Sequence, residues 1–223
     1  DYKDVSNLIE EAIRSDGVED LFVSSRKVGG GVDLLSPEYI AKIAAIPRPN
    51  TKIKILERLL RQEIGKYEKI NKIKAKSFTE RLNTLIDKNN NARNGEHTND
   101  ILNEIFDQLT SLIEDFKSDK NSSEEMGMSI EQKAFYDILH YVAEKNQFEY
   151  PHEKLLFLSK KIKHIVEENS SYVDWDNRED IKSQLKRDLM ILLVDNGYPP
   201  EFSEDVFVEV FEQAENFKRY AEA

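Results

Sequence analysis

Cysteine is absent from the 223 residues, so the chain can form no disulfide, no thiolate metal site and no cysteine nucleophile. A chain without thiols is compatible with a reducing compartment, and we expect a cytoplasmic protein. No apolar run reaches the roughly 20 residues of a transmembrane helix. Residues 1–20 also lack the apolar segment of a signal peptide, so we expect no membrane partner. Because the chain starts at Asp1 rather than Met, we expect a fragment of a longer protein.

Positive charge is scarce overall but concentrated in one stretch. The chain has 32 Lys and Arg against 43 Asp and Glu, a net charge of −11. This balance argues against a nucleic-acid clamp formed by the whole chain. Residues 48–81 nevertheless contain eleven Lys and Arg against four Glu, a local net charge of +7.

The basic stretch 48–81 contains candidate contact residues for DNA or for an acidic partner. Helical spacing places them on shared faces in two sets, which are Lys54, Arg58 and Arg61, and then Lys69, Lys72 and Lys76. The alternative interpretation is an ordinary solvated helix face, which is the commoner role of a charge run.

Strand-like alternation is nearly absent, whereas apolar residues recur with helical spacing almost throughout. This pattern predicts an all-α fold of about eight to ten helices with little or no sheet. These helices are expected to form two packed groups over residues 36–116 and 129–223. Residues 117–128 are polar and rich in serine, and they are predicted to be the linker between the groups.

Several positions carry helix start and stop signals. Ser36 followed by Pro37 predicts a helix start, and Ser129 with Gln132 has the spacing of a capping box. Ser77 with Glu80 has the same spacing, which predicts either a restart or a silent signal inside one long helix. Gly197 occupies the position expected just after a helix end.

The sequence contains no recognisable catalytic motif. The four histidines are His97, His140, His152 and His164, and no two have the i, i+4 spacing of a helical metal site. Glycines 29–31 are not followed by the Lys-Ser or Lys-Thr of a phosphate-binding loop, so a flexible connector is the better interpretation. Acid-x-Lys triplets at 115–117, 131–133 and 180–182 lie in helical context and are expected by chance. We therefore predict no catalytic, cofactor-binding or metal-binding residue. A free-standing helical enzyme would need converging carboxylates in a deep pocket.

A few bulky or conformationally special residues are predicted to be structural anchors. The single tryptophan could contact a partner, but a core position under the following helix is favoured. The Tyr-Pro-Pro sequence could be a recognition element, but a rigid exit from a helix is favoured. The candidate anchors are Phe135, Tyr136, Trp175, Gly197, Tyr198 and Pro199.

Short segments along nearly the whole chain resemble one family in a consistent order. In the second half they are residues 128–137 (MSIEQKAFYD), 173–179 (VDWDNRE), 192–200 (LLVDNGYPP) and 212–215 (EQAE). In the first half they are residues 34–40 (LLSPEYI), 59–64 (LLRQEI) and 76–82 (KSFTERL). The chain thus resembles the C-terminal helical region of the restriction (R, motor) subunit of type I restriction–modification enzymes.

This resemblance implies a non-catalytic assembly domain. The full R subunit of that family joins a nuclease domain and two ATP-driven motor domains to this helical part. ATP and Mg²⁺ are thereby implied for the nuclease and motor domains and not for these residues. Residues 1–35 would be the exit segment from a motor domain. The implied partners are the methyltransferase (M) subunit and the R subunit's own motor domains. A DNA-contacting module that uses the basic face 48–81 is the alternative.

Overall fold

The computed structural model describes residues 35–92, 99–170 and 175–221. Residues 1–34 of the exit segment, which include the glycine run 29–31, lie outside these residues, as does His97. Within them the chain forms α-helices and two short 3-10 turns and no strand, which confirms the predicted all-α fold. None of the described helices has the length and apolarity needed to span a bilayer. The helices are α1 (Pro37–Ala44), α2 (Pro49–Tyr67), α3 (Lys72–Ala92), α4 (Asn99–Glu125), α5 (Ile130–Lys145), α6 (His152–Ser170), α7 (Glu179–Asp195) and α8 (Ser203–Ala221).

Side-chain caps and glycines set several helix ends as the sequence indicated. The Ser36 hydroxyl accepts the Tyr39 N–H at 3.3 Å at the start of α1. The Ser129 hydroxyl accepts the Gln132 N–H at 3.2 Å at the start of α5. Gly197 has a φ of 74°, a conformation that a residue with a Cβ atom adopts only with strain. These contacts satisfy N–H groups that would otherwise lack a partner.

The long basic stretch breaks at Asn71 rather than restarting at Ser77. Helix α2 ends at Tyr67, α3 begins at Lys72, and Ser77 lies inside α3, so its capping signal is silent. The Asn71 side-chain oxygen accepts the Lys74 N–H at 3.1 Å. Asparagine is among the best N-cap residues because its short side chain reaches the free N–H groups of the first turn.

Residues 117–125, expected to belong to a linker, continue α4 as helix. Helix α4 stops where Gly127 adopts a φ of 64° and the Met128 N–H bonds the Ser123 carbonyl at 2.8 Å. Ser123 is itself buried. The polar residues of this segment therefore belong to the solvated side of α4. The helix ends at Gly127 rather than at the serines.

Within the described ranges the chain divides into two compact units, one formed by residues up to 65 and by 77–120, and the other by residues 66–76 and from 121 onward. In the first unit the rings of Phe78 and Phe116 pack edge to face at 5.2 Å. Lys88 bonds Glu104 at 2.7 Å, which ties α3 to α4. Fully buried aliphatic residues of this unit include Ile53, Leu56, Leu59, Leu60, Leu82, Ile105 and Leu109.

The second unit is a closed arrangement of four helices. Helix α5 packs against α6 and α8, and α7 packs against the same two helices. Its core includes Leu139, Leu158, Ile162, Leu185, Leu189, Val206 and Val210, all fully buried. Residues 66–76, which connect α2 to α3, belong to this unit rather than to the first.

Candidate interaction sites

Helix α5 contains two charged residues in a fully buried stretch. Every residue from 133 to 139 is buried, and Lys133 and Asp137 are only 6% and 4% exposed. The Asp137 carboxylate accepts hydrogen bonds from the Lys133 ammonium and from the Asn71 amide, the latter at 2.6 Å. The Lys74 ammonium lies 3.9 Å from the other carboxylate oxygen. A buried carboxylate is tolerated only when such partners replace its lost hydration. We call these four residues the Asp137 cluster.

A second set of contacts joins residues 70–72 to α8. The buried Gln213 side chain accepts the Lys72 N–H at 2.9 Å and donates to the Ile70 carbonyl at 3.2 Å. It thereby satisfies two backbone groups at the break between α2 and α3, where no helical partner exists. The Lys72 ammonium also pairs with the Glu212 carboxylate. The short connection is thus fastened to α5 through Asp137 and to α8 through Gln213.

The six basic candidates divide between the two units. Lys54, Arg58 and Arg61 lie on α2 in the first unit, whereas Lys69, Lys72 and Lys76 belong to the second. Lys54 and Arg61 are exposed, and Arg58 is partly exposed. Arg61 pairs with Glu57 at 3.0 Å and donates to the Asn83 side chain at 3.0 Å. Because Arg61 and Lys72 are held in intramolecular pairs, part of the positive charge of this face is already balanced.

Acidic residues of α8 balance more of the basic charge in the second unit. Burial raises the pKa of the Glu209 carboxyl, and the neighbouring Glu212 raises it further. Three ammonium groups oppose this shift, those of Lys72, Lys76 and Lys145. Lys76 is exposed, but its ammonium interacts electrostatically with the Glu209 carboxyl of the same unit.

The candidate anchor residues fill or frame the second bundle. The Tyr198 ring is buried against Phe148 and Tyr150, and its hydroxyl donates to the Leu139 carbonyl at 3.0 Å. Burial raises the pKa of the Tyr198 hydroxyl, as expected for a phenol removed from water. Gly197 supplies the left-handed turn before it, and the partly exposed Pro199 follows it.

The remaining anchor candidates are also buried. Trp175 lies in a 3-10 turn and packs edge to face on Phe211, with ring centroids 5.5 Å apart. Phe135 packs similarly against Phe217 at 6.1 Å. The Tyr136 hydroxyl and the His152 Nδ1 are 2.8 Å apart. These residues stabilise the bundle from inside rather than presenting side chains to a partner.

Sequence reasoning missed three strongly exposed apolar side chains of the bundle. On α7, Ile191 and Val194 are 54% and 50% exposed, and they lie one turn apart. On α6, Phe157 is 48% exposed. These three apolar residues lie on the otherwise polar faces of their helices. An apolar residue on a polar helix face is the pattern from which the sequence could have predicted their exposure.

Groups of three or more His, Asp or Glu side chains able to hold a metal ion do not occur within the described ranges. His140 and His164 instead each lie beside a glutamate one turn later, Glu144 and Glu168. Both pairs are exposed, so they are surface contacts of low energetic weight.

The fold and these contacts define an all-helical bundle protein whose charged motif residues fasten helices to one another. The chain belongs to the family described as Type I restriction enzyme HindI endonuclease subunit-like, C-terminal, whose model matches residues 2–220.

Two curated relatives are similar over nearly all of the chain. It is 28% identical to the Type I restriction enzyme HindI endonuclease subunit of Haemophilus influenzae over 95% of its own length. It is 25% identical to the Putative type I restriction enzyme MjaIXP endonuclease subunit of Methanocaldococcus jannaschii over 96% of its length. The aligned regions make up 19% and 20% of these relatives, so the chain spans about a fifth of their length. No solved structure matches the chain.

Proposed function

We propose that this chain is the C-terminal assembly domain of the R subunit of a cytoplasmic type I restriction–modification enzyme. In this role it docks against the methyltransferase subunit and against the R subunit's own motor domains. The family match over residues 2–220 carries the proposal, because the relatives are endonuclease subunits of which the chain matches one fifth. DNA cleavage and the use of ATP and Mg²⁺ then belong to other parts of the longer subunit.

The outer side of α7 is the docking surface that we assign to the methyltransferase subunit. The inner side of this helix is buried through Ile181, Leu185 and Leu189. Ile191 and Val194 lie on the outer side, where exposed aliphatic pairs favour contact with another protein. The rigid bundle beneath them holds the pair in place at little entropic cost on binding.

A binding experiment with the methyltransferase subunit tests this proposal. The 223-residue chain should bind the M subunit of the same system in isothermal titration calorimetry. The double variant I191D/V194D should weaken binding at least about tenfold, since it places two charges in an apolar contact. I130D/V208D is the matched control, because it adds the same two charges at exposed aliphatic residues of α5 and α8. Absence of binding, combined with normal assembly of an R subunit lacking this region, contradicts the proposal.

DNA contact through the basic face 48–81 is the second candidate function. The exposure of Lys54 and Arg61 on α2 favours it, whereas the pairing of Arg61 and Lys72 within the chain weakens it. Binding through this face should weaken steeply with salt, because phosphate contacts release counterions. Charge reversal at Lys54, Arg58 and Arg61 should then abolish it. Unchanged DNA affinity in that triple variant excludes this function.

A further inference from the structure

Helix α6 carries a second basic stretch in this acidic chain. Residues 154–166 (KLLFLSKKIKHIV) contain four lysines and no acid, a local net charge of +4. The buried side of the helix is apolar and consists of Leu155, Leu158, Ile162 and Val166. The charges are therefore confined to the remaining circumference of the helix.

One exposed face of α6 combines three lysines with an aromatic ring. Lys154, Lys160 and Lys161 are exposed, and helical spacing places Phe157 among them. The Lys161 ammonium lies 5.6 Å from the centre of the Phe157 ring. The fourth lysine, Lys163, is less exposed and pairs with Glu167. We call Lys154, Phe157, Lys160 and Lys161 the α6 face.

The composition of the α6 face indicates a polyanion with stacking bases. Lysine is depleted in protein–protein contacts, whereas sites for single-stranded nucleic acid combine lysines along the backbone with exposed aromatic rings. Lys154 and Lys161 are separated by about 10 Å along the helix axis, at roughly 1.5 Å per residue. Their flexible side chains can reach successive phosphates on either side of a base stacked on the ring.

We propose that the α6 face binds single-stranded nucleic acid. The Phe157 ring stacks on a base, and Lys154, Lys160 and Lys161 contact the flanking phosphates. This role is independent of docking to the methyltransferase subunit and uses a different helix from both surfaces described above. It is tested on the 223-residue chain without that partner, so its failure leaves the assembly proposal intact.

Fluorescence anisotropy with a labelled oligo-dT strand of about 20 nucleotides tests this proposal, at low salt and over a salt series. The variant K160E/K161E should weaken binding at least about tenfold and lower the salt slope by about 1.4, or roughly 0.7 per phosphate. F157A should weaken binding roughly 5- to 100-fold, and F157W should restore it, because stacking needs only a ring. The matched control K120E/R187E makes the same change in net charge at exposed residues of α4 and α7 and should bind within about twofold of the unmodified chain.

Three outcomes overturn the proposal. The first is the absence of binding at low salt. The second is an equal loss in K120E/R187E, which shows that the overall net charge is responsible. The third is unchanged affinity in F157A together with competition by polyglutamate as strong as that by unlabelled oligo-dT. That last result assigns the α6 face to an acidic protein. All substituted residues of the α6 face are exposed, so circular dichroism should show an unchanged fold.

Discussion

Replacing Asp137 by asparagine should destabilise the second unit strongly. The change leaves the Lys133 ammonium inside α5, where only 7% of its side chain is exposed, without the carboxylate that balances it. It also weakens the bond from Asn71, another buried residue. Breaking a buried ion pair by removing one partner costs about 3–5 kcal/mol. With a urea slope of about 2 kcal/mol per M, the midpoint of unfolding should fall by about 2 M.

Fluorescence of Trp175 during urea unfolding measures this effect, because the only tryptophan is buried in the same unit. The matched control is Glu167→Gln on α6, where Lys163 and Glu167 form an i, i+4 pair that is much more exposed. This control should change the free energy of unfolding by less than about 0.5 kcal/mol.

A paired replacement separates the cost of an unbalanced charge from the worth of the ion pair. In K133M/D137N both charges are removed together while the amide oxygen at position 137 can still accept from the Asn71 side chain, so this variant should recover most of the stability lost in D137N. Two results contradict this reasoning. One is a D137N variant as stable as E167Q, and the other is a double variant less stable than D137N.

The other contacts of the second unit give three further predictions. Gln213→Ala should cost about 1–3 kcal/mol, because it leaves the Lys72 N–H and the Ile70 carbonyl unpaired, and hydrogen exchange at Lys72 should accelerate. Glu209→Gln should stabilise the protein at pH 7. The pKa of this carboxyl is raised, so its ionisation costs more in the folded state than in the unfolded state. The stability of the unmodified protein therefore falls as pH rises from the unfolded to the folded pKa of Glu209. The gain in stability from the glutamine should vanish below about pH 4 in urea titrations, where the glutamate is protonated in both states. Tyr198→Phe should cost about 1 kcal/mol through the lost bond to Leu139, and no change in the urea midpoint refutes this role.

Local sequence signals were sufficient for most of the helical framework. The stripe of α7 is buried at Ile181, Leu185 and Leu189, because a 3.6-residue period places these side chains on one side of the helix. The caps at Ser36 and Ser129 involve contacts only three residues apart, so the sequence contains both partners in one window. Such contacts are predictable because they depend on the local chain alone.

The contacts around residues 70–74 could not be predicted in this way. Asn71 bonds a residue 66 positions away, and the Lys72 N–H bonds one 141 positions away, so no local pattern links the partners. Asp137 carried a partial signal, since it is an acid inside an apolar segment with Lys133 one turn earlier. That spacing is also found on solvated helices, and only the packing of α6 and α8 around α5 shows that the pair is buried.

Two of the segments that resemble the R subunit family converge on the same place. Residues 128–137 contribute Lys133 and Asp137, and residues 212–215 contribute Gln213, all of which hold the connection between α2 and α3. Their side chains are buried and bonded to other residues of the chain. They therefore specify how the helices are joined and are unsuited to direct contact with another molecule. Under the proposed assembly role, loss of assembly in variants of these residues should therefore follow loss of stability. Selective loss of a partner is expected only from exposed positions such as Ile191 and Phe157, which lie on the rigid bundle that the buried residues maintain.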